Sequence, residues 1–219
     1  MEEAADRARV RVGDHVLAAA PCLAAGRGVG PAAPGRARPA GAAGLARLVA
    51  GLSGLGERPG QKGGELIGPN PVDRGKNGTK YHLLVTADGL PLAIAVTGAN
   101  RHDSMLVEPI LNRLRPVKGT GRGRPRRRPV KLHADKAYDN RRVRRYLRNR
   151  GITARIARVG AESSQRLGRH RWVVERTVGW LLSYRRLALR YDRTATTITA
   201  LATLAATMIC ARRLPTNDY

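Results

Sequence analysis

Near the middle of the chain, residues 130–139 read Val-Lys-Leu-His-Ala-Asp-Lys-Ala-Tyr-Asp. The first half alternates with the period of two that a strand requires, with Val130, Leu132 and Ala134 on one face and Lys131, His133 and Asp135 on the other. An acid is thereby presented where the strand ends, and is not enclosed in a core. A second acid, Glu175, lies 40 residues on (175 − 135), within Arg171-Trp172-Val173-Val174-Glu175-Arg176-Thr177, which opens a long helical pattern. Two carboxylates delivered by separate elements of a basic chain suggest divalent-metal chemistry on nucleic acid. On the residues alone this stands level with a plainer reading, in which Asp135 caps the next helix and Glu175 pairs with nearby arginines.

The charge narrows the partners. Forty-one Lys+Arg against sixteen Asp+Glu give +25 and a pI near 11.6, which points to a polyanion, nucleic acid ahead of a membrane surface. With 219 residues there is enough chain to bury a real core, and with no Phe that core rests on Leu, Val, Ile and Ala. Cys22 and Cys210 are the only cysteines and lie far apart, so neither a disulfide framework nor a CxxC zinc site is available, and a reducing cytoplasm is the simplest setting. The apolar run 194–211 carries repeated Thr and reads as a buried helix, not a membrane span.

Along the chain, residues 1–60 are Ala, Gly, Pro and Arg without strand or helix period, and are expected to form a disordered leader with at most a short helix at 44–55. Residues 61–214 read as one domain and 215–219 as a tail. A hairpin is expected from strands at 79–87 and 91–97 around Asp88-Gly89, then a helix from His102-Asp103-Ser104 to Leu114 capped by Asp103 or Ser104. The strand 130–134 and an Arg-rich helix 140–150 capped by Asp139 and closed by Gly151 come next. A strand at 153–157 and helices at 169–191 and 195–213 complete the order. This is an α/β order suited to a ribonuclease-H-like mixed sheet flanked by helices.

On a helix, Arg171 falls within about 40° of Glu175, one turn earlier, where it could orient the carboxylate or meet a phosphate. Residues 121–150 hold thirteen Lys+Arg against two Asp. Of these, Arg122, Arg124, Arg126, Arg127, Arg128, Arg141, Arg142 and Arg145 are the candidates for a phosphate-binding surface, which would position a duplex without reading its sequence.

Three motifs in order carry a family resemblance: Gly-Pro-Asn-Pro-Val-Asp-Arg-Gly-Lys-Asn-Gly-Thr-Lys-Tyr-His (68–82), Ala-Asp-Lys-Ala-Tyr-Asp (134–139) and Arg-Trp-Val-Val-Glu-Arg-Thr (171–177). Together they resemble bacterial insertion-sequence transposases of the DDE class, in the insertion-sequence-four/five-like group. The resemblance implies Mg²⁺-dependent cleavage and strand transfer at a two-metal site, with double-stranded DNA (element ends and target) as partner and a homodimer as the working state. It makes Asp135 the second catalytic acid and metal ligand, Glu175 the third, and Arg171 the arginine that accompanies it. The first acid of the family lies on a strand shortly before Lys62-Gly63-Gly64. Here that stretch reads Leu55-Gly-Glu-Arg-Pro-Gly-Gln-Lys-Gly-Gly, with neither Asp nor an evident strand, and Glu57 as the nearest acid. The expectation is therefore a truncated or frameshifted copy of impaired activity; a non-catalytic basic DNA-binding remnant is the alternative.

Overall fold

The computed structural model describes residues 16–18, 49–53, 58–59, 63–71, 74–116, 124–125, 127–158 and 164–213. Eight strands make one sheet: β1 (Val16–Ala18), β2 (Val49–Ser53), β3 (Arg58–Pro59), β4 (Gly68–Pro69), β5 (Asn77–Val85), β6 (Pro91–Gly98), β7 (Lys131–Ala134) and β8 (Thr153–Ile156). Their order is β1-β6-β5-β2-β7-β8, and β3 and β4 both pair on β5. The β6-β5-β2 half is antiparallel, whereas β2-β7-β8 is parallel. With helices on both faces, this is the ribonuclease-H-like arrangement expected from the element order.

The hairpin forms where the turn chemistry places it. Gly89 takes φ +87, its N–H donates to the Thr86 carbonyl at 3.0 Å, and a Cβ there would stand 2.9 Å from Thr177 Oγ1. Only glycine meets both demands. β5 is buried along nearly its whole length, and its side chains divide between two cores. Tyr81, Leu83 and Val85 face one core, and Leu84 faces the other.

The second core lies beneath helices α1 (Val107–Asn112) and α2 (Arg141–Asn149), and gathers Leu106, Ile110, Leu132, Val143 and Leu147. Helices α3 (Ser164–Leu182), α4 (Arg185–Ala188) and α5 (Ala195–Ala211) cover the first through Val174, Leu181, Leu187, Ile198 and Ala202. The long helix expected at 169–191 thus stops at Leu182, where Ser183 Oγ donates back to the Trp180 carbonyl and Tyr184 turns extended. Arg190, almost wholly buried, then locks the following segment: Nε donates to the Asp192 carbonyl, Nη1 to Leu66 O and Thr79 Oγ1, and Nη2 to Glu65 O. Glu65 in turn accepts from Ala195 N at 2.6 Å, capping α5 from a distant loop.

Within the first 60 residues, where a disordered leader is expected, β1, β2 and β3 are described, and the rest of that stretch lies outside the described residues. A strand does precede Lys62-Gly63-Gly64, and β2 stands where a helix at 44–55 was expected. The reason is positional. β2 fills the slot between β5 and β7, where main-chain pairing on both sides outweighs the weak strand preference of Val-Ala-Gly-Leu-Ser.

Two caps also shift by one residue. The turn Asp103–Leu106 is capped by His102, whose Nδ1 accepts from Ser104 N, and α2 by Asn140, whose side chain accepts from Arg142 N at 2.8 Å. Asp139 instead pairs with Arg144 at 2.6 Å.

Candidate active site

Asp135 stands where β7 ends, partly exposed, and its carboxylate accepts from Lys136 N at 2.7 Å to cap the single turn Lys136–Tyr138. The acid thus caps this turn as the plainer reading has it, from a position at the C-terminal edge of the sheet. The parallel register pairs Gly51 with His133 and Leu52 with Ala134, so the next row sets Ser53 beside Asp135. Ser53 also pairs with Leu83, so the register carried one residue past the end of β7 lines up Leu83, Ser53 and Asp135. Adjacent strands lie about 4.8 Å apart, so an acid on β2 in this row could share an ion with Asp135. Val49-Ala50-Gly51-Leu52-Ser53 offers none. Glu57 lies outside the described residues.

Glu175 is exposed on α3, a helix that packs across β5, β2 and β7, the last being the strand that ends in Asp135. The orientation of α3 is set by its neighbours. Thr177 Oγ1 donates to Gly89 O at 2.8 Å and Arg176 Nη2 to Asp88 O at 2.9 Å, while Arg176 stacks between Trp172 and Trp180 at 4.3 and 4.7 Å from the ring centres. Val174, Val178 and Leu181 face the core. Glu175 is therefore on the side of α3 turned away from the β5–β6 turn. Arg171 lies one helical turn before it, with its side chain outside the description. Among the described residues no group of three or more His, Cys, Asp and Glu could hold a metal ion.

The turn that Asp135 caps belongs, through Tyr138, to a polar cluster that sequence reading missed. Lys80, nearly buried on β5, forms a 3.0 Å ion pair with Asp103 Oδ1 that lacks hydrogen-bond alignment, and Nζ lies 3.4 Å from Arg101 O. Tyr138, wholly buried in the turn that Asp135 caps, has a hydroxyl without a hydrogen-bond partner among the described residues. Burial, and then the charges of Asp103 and Asp135, hold that hydroxyl well above the ordinary tyrosine range. His82 Nε2 lies 2.8 Å from Thr97 Oγ1, and burial with the nearby Lys80 charge pushes its pKa down to about 3. Lys80 and Asp103 lie 23 residues apart (103 − 80), in a strand and a turn; no local signal marks them as partners.

The arginines divide. Arg124, Arg127, Arg141 and Arg145 are exposed, the last two one turn apart on α2. Arg142 is engaged elsewhere, donating to Glu108 Oε1 at 2.5 Å and Ser104 O at 3.0 Å, and so ties α2 to the preceding turn. Arg128 donates to Arg150 O. Arg122 and Arg126 lie outside the described residues.

The model of the "Transposase DDE domain" family matches residues 57–210. A protein of Burkholderia cepacia assigned as transposase for insertion sequence element IS402 is 39% identical over 209 residues, covering 95% of this chain and 99% of its own. The chain belongs to the DDE transposase family. As an insertion-sequence DDE transposase it is a DNA phosphoryl-transfer enzyme by descent. A crystal structure of the catalytic core domain of BIV integrase aligns with 72% of the transposase and 81% of its own chain at 14% identity and TM-score 0.41, a level that adds nothing to the assignment. The alignment with the Burkholderia protein, at 95% of this chain, reaches into the first 60 residues. Divalent metal ions serve the family generally. Carboxylates such as Asp135 and Glu175 are proper donors for them, but β2 supplies no third one beside Asp135, so the residues described do not complete a two-metal set. Among the described residues no helix is long and apolar enough to cross a membrane.

Proposed function

We propose that this chain is a DDE transposase that retains the DNA-holding surface and two of its acids but lacks the first, so that it occupies double-stranded DNA far better than it cleaves it. The observation carrying the proposal is that β2, paired in register with β7 up to Leu52 and Ala134, holds no acid, so the register continued to Ser53 and Asp135 offers one carboxylate where a shared ion requires two. In this reading Asp135 and Glu175 are the remaining catalytic acids and Mg²⁺ ligands, with Arg171 steering Glu175 or an adjacent phosphate. Exposed Arg124, Arg127, Arg141 and Arg145 hold the duplex by its backbone, joined by Arg122 and Arg126, while Arg128 and Arg142 brace the surface. The setting is the bacterial cytoplasm, on the nucleoid.

Phosphoryl transfer needs the attacking and leaving oxygens held in line with their charge neutralised, and Asp135 with no second carboxylate on β2 is too little to do this. The non-catalytic remnant is the limiting case of the same observation. The test is Mg²⁺-dependent nicking of a plasmid carrying the gene with its flanking DNA. The wild-type chain should bind it, with affinity falling steeply as salt rises, and cut it slowly or not at all. Ser53→Asp should raise cutting at least about tenfold, in a manner abolished by Asp135→Asn. Robust wild-type cleavage that is lost in Asp135→Asn would refute the missing-acid account.

A further inference from the structure

Two backbone outliers flank β4, in a stretch of which the site around Asp135 makes no use. Leu66 and Arg74 are the two residues other than glycine that take positive φ among the described residues, at +57 and +48. Such a backbone persists only where its surroundings hold it, and here they do. Leu66 O accepts from Arg190 Nη1 at 2.9 Å and from Thr79 Oγ1 at 3.0 Å. Buried Asn70 closes the turn that follows, its N–H donating to Lys76 O at 2.9 Å and its carbonyl accepting from Gly75 N at 3.0 Å.

What the turn presents is positive charge: Arg74 and Lys76 are exposed on either side of Gly75. Glycine or asparagine would meet the left-handed geometry at position 74 more easily, so folding alone does not account for an arginine there. The register sets this charge beside Asp135. Ser53 pairs with Leu83 and β5 runs antiparallel to β2, so the first residues of β5 continue past the edge at which β2 and β7 end. Asn77 lies six residues before Leu83 (83 − 77), about 20 Å of extended chain. α2 packs on β8, so the helix bearing Arg141 and Arg145 lies on the β8 side of Asp135, and Arg74 and Lys76 lie on the β5 side.

We infer that Arg74 and Lys76 are a second set of phosphate contacts, gripping duplex DNA on the flank of Asp135 opposite α2. This rests on the reading that the chain holds duplex DNA, and adds where the second grip lies. A duplex carries one negative charge per about 1.7 Å of its axis, so cations fixed about 20 Å beyond the acid meet a phosphate without reading a base. The held backbone serves that end. A cation on a turn already locked by Arg190 and Asn70 has less freedom to lose on binding than one on a loose loop.

Fluorescence anisotropy of the full chain with a labelled duplex of about 30 base pairs, across a series of salt concentrations, tests this without any need for cleavage. Arg74→Gly with Lys76→Gln should weaken binding about tenfold or more and lower the slope of log affinity against log salt by about 2. The melting temperature should hold or rise, because glycine suits φ +48. Arg74→Lys, which keeps the charge, should bind within about twofold of the wild-type chain. Arg115→Gln with Arg148→Gln removes the same charge from exposed positions just past α1 and in the last turn of α2, and should lower the slope by less than about 1. Equal effects from the two double variants would reduce the grip to net charge and overturn the inference. A chain that binds no duplex would sink the DNA-holding reading together with this one. Arg74→Gly with Lys76→Gln binding as wild type, while Arg141→Gln with Arg145→Gln loses affinity, would sink this one alone.

Discussion

Thr79 and Lys80 are adjacent on β5 and anchor two buried polar clusters that end in opposite ways. On the Thr79 side the Arg190 guanidinium finds an acceptor for each of its nitrogens, three backbone carbonyls and one hydroxyl. On the Lys80 side an ion pair with Asp103 is followed by a Tyr138 hydroxyl and a His82 Nδ1 that are buried and lack partners among the described residues. The first cluster does one task, pinning loop 63–67 and the start of α5 to the sheet. The second reaches, through Tyr138, the turn that Asp135 caps. Polar groups left unsatisfied at such a place mark a region shaped for something other than stability.

Substitutions can break that contrast. Arg190→Met strands several acceptors at once and should cost about 3–5 kcal/mol in urea unfolding; a loss under about 1 kcal/mol would show the clamp to be ornamental. Asp103→Asn removes the carboxylate 3.0 Å from the nearly buried Lys80 ammonium and should cost about 3 kcal/mol, most of which the double change Lys80→Met with Asp103→Leu should restore. Were the double variant as unstable as the single, the ion pair would be a true stabiliser and the contrast would weaken.

Acid should find the Lys80 side first. His82 is neutral in the folded chain, with a pKa of about 3 against 6.5 when unfolded, so the unfolded chain takes up the extra proton. Stability from this group is complete above pH 6.5 and is lost as pH falls toward 3, by about 2 kcal/mol between pH 6.5 and 4.5. Unfolding curves across that window should show the slope, and His82→Gln should flatten it. The smallest effect is expected at Tyr138, where Tyr138→Phe removes a buried donor without a partner and should stabilise by up to about 1 kcal/mol. A destabilised Phe variant would mean that the hydroxyl is bonded after all.

What the sequence disclosed follows the range of the forces involved. The β5–β6 hairpin was legible because Asp88-Gly89 encodes its own turn, and the end of α2 because Gly151 takes φ +63. β7 was legible from its alternation. β2 was not: Val-Ala-Gly-Leu-Ser has little preference of its own and becomes a strand through what lies on either side of it. For the same reason motifs suffice to propose Asp135 and Glu175, whereas the Lys80–Asp103 pair and the diversion of Arg142 to Glu108 appear only once distant elements pack. The caps at His102 and Asn140 missed by one residue, since each cap neighbours an acid that would have served.

The account turns on the residue that β2 sets beside Asp135, and titration with Mn²⁺ followed by electron paramagnetic resonance tests it most directly. The wild-type chain should take up Mn²⁺ weakly, Ser53→Asp should bind it at least about tenfold more tightly, and Ser53→Asp with Asp135→Asn should fall back to wild type or below. Tight uptake by the wild-type chain, or a Ser53→Asp variant that folds and gains nothing, would contradict it.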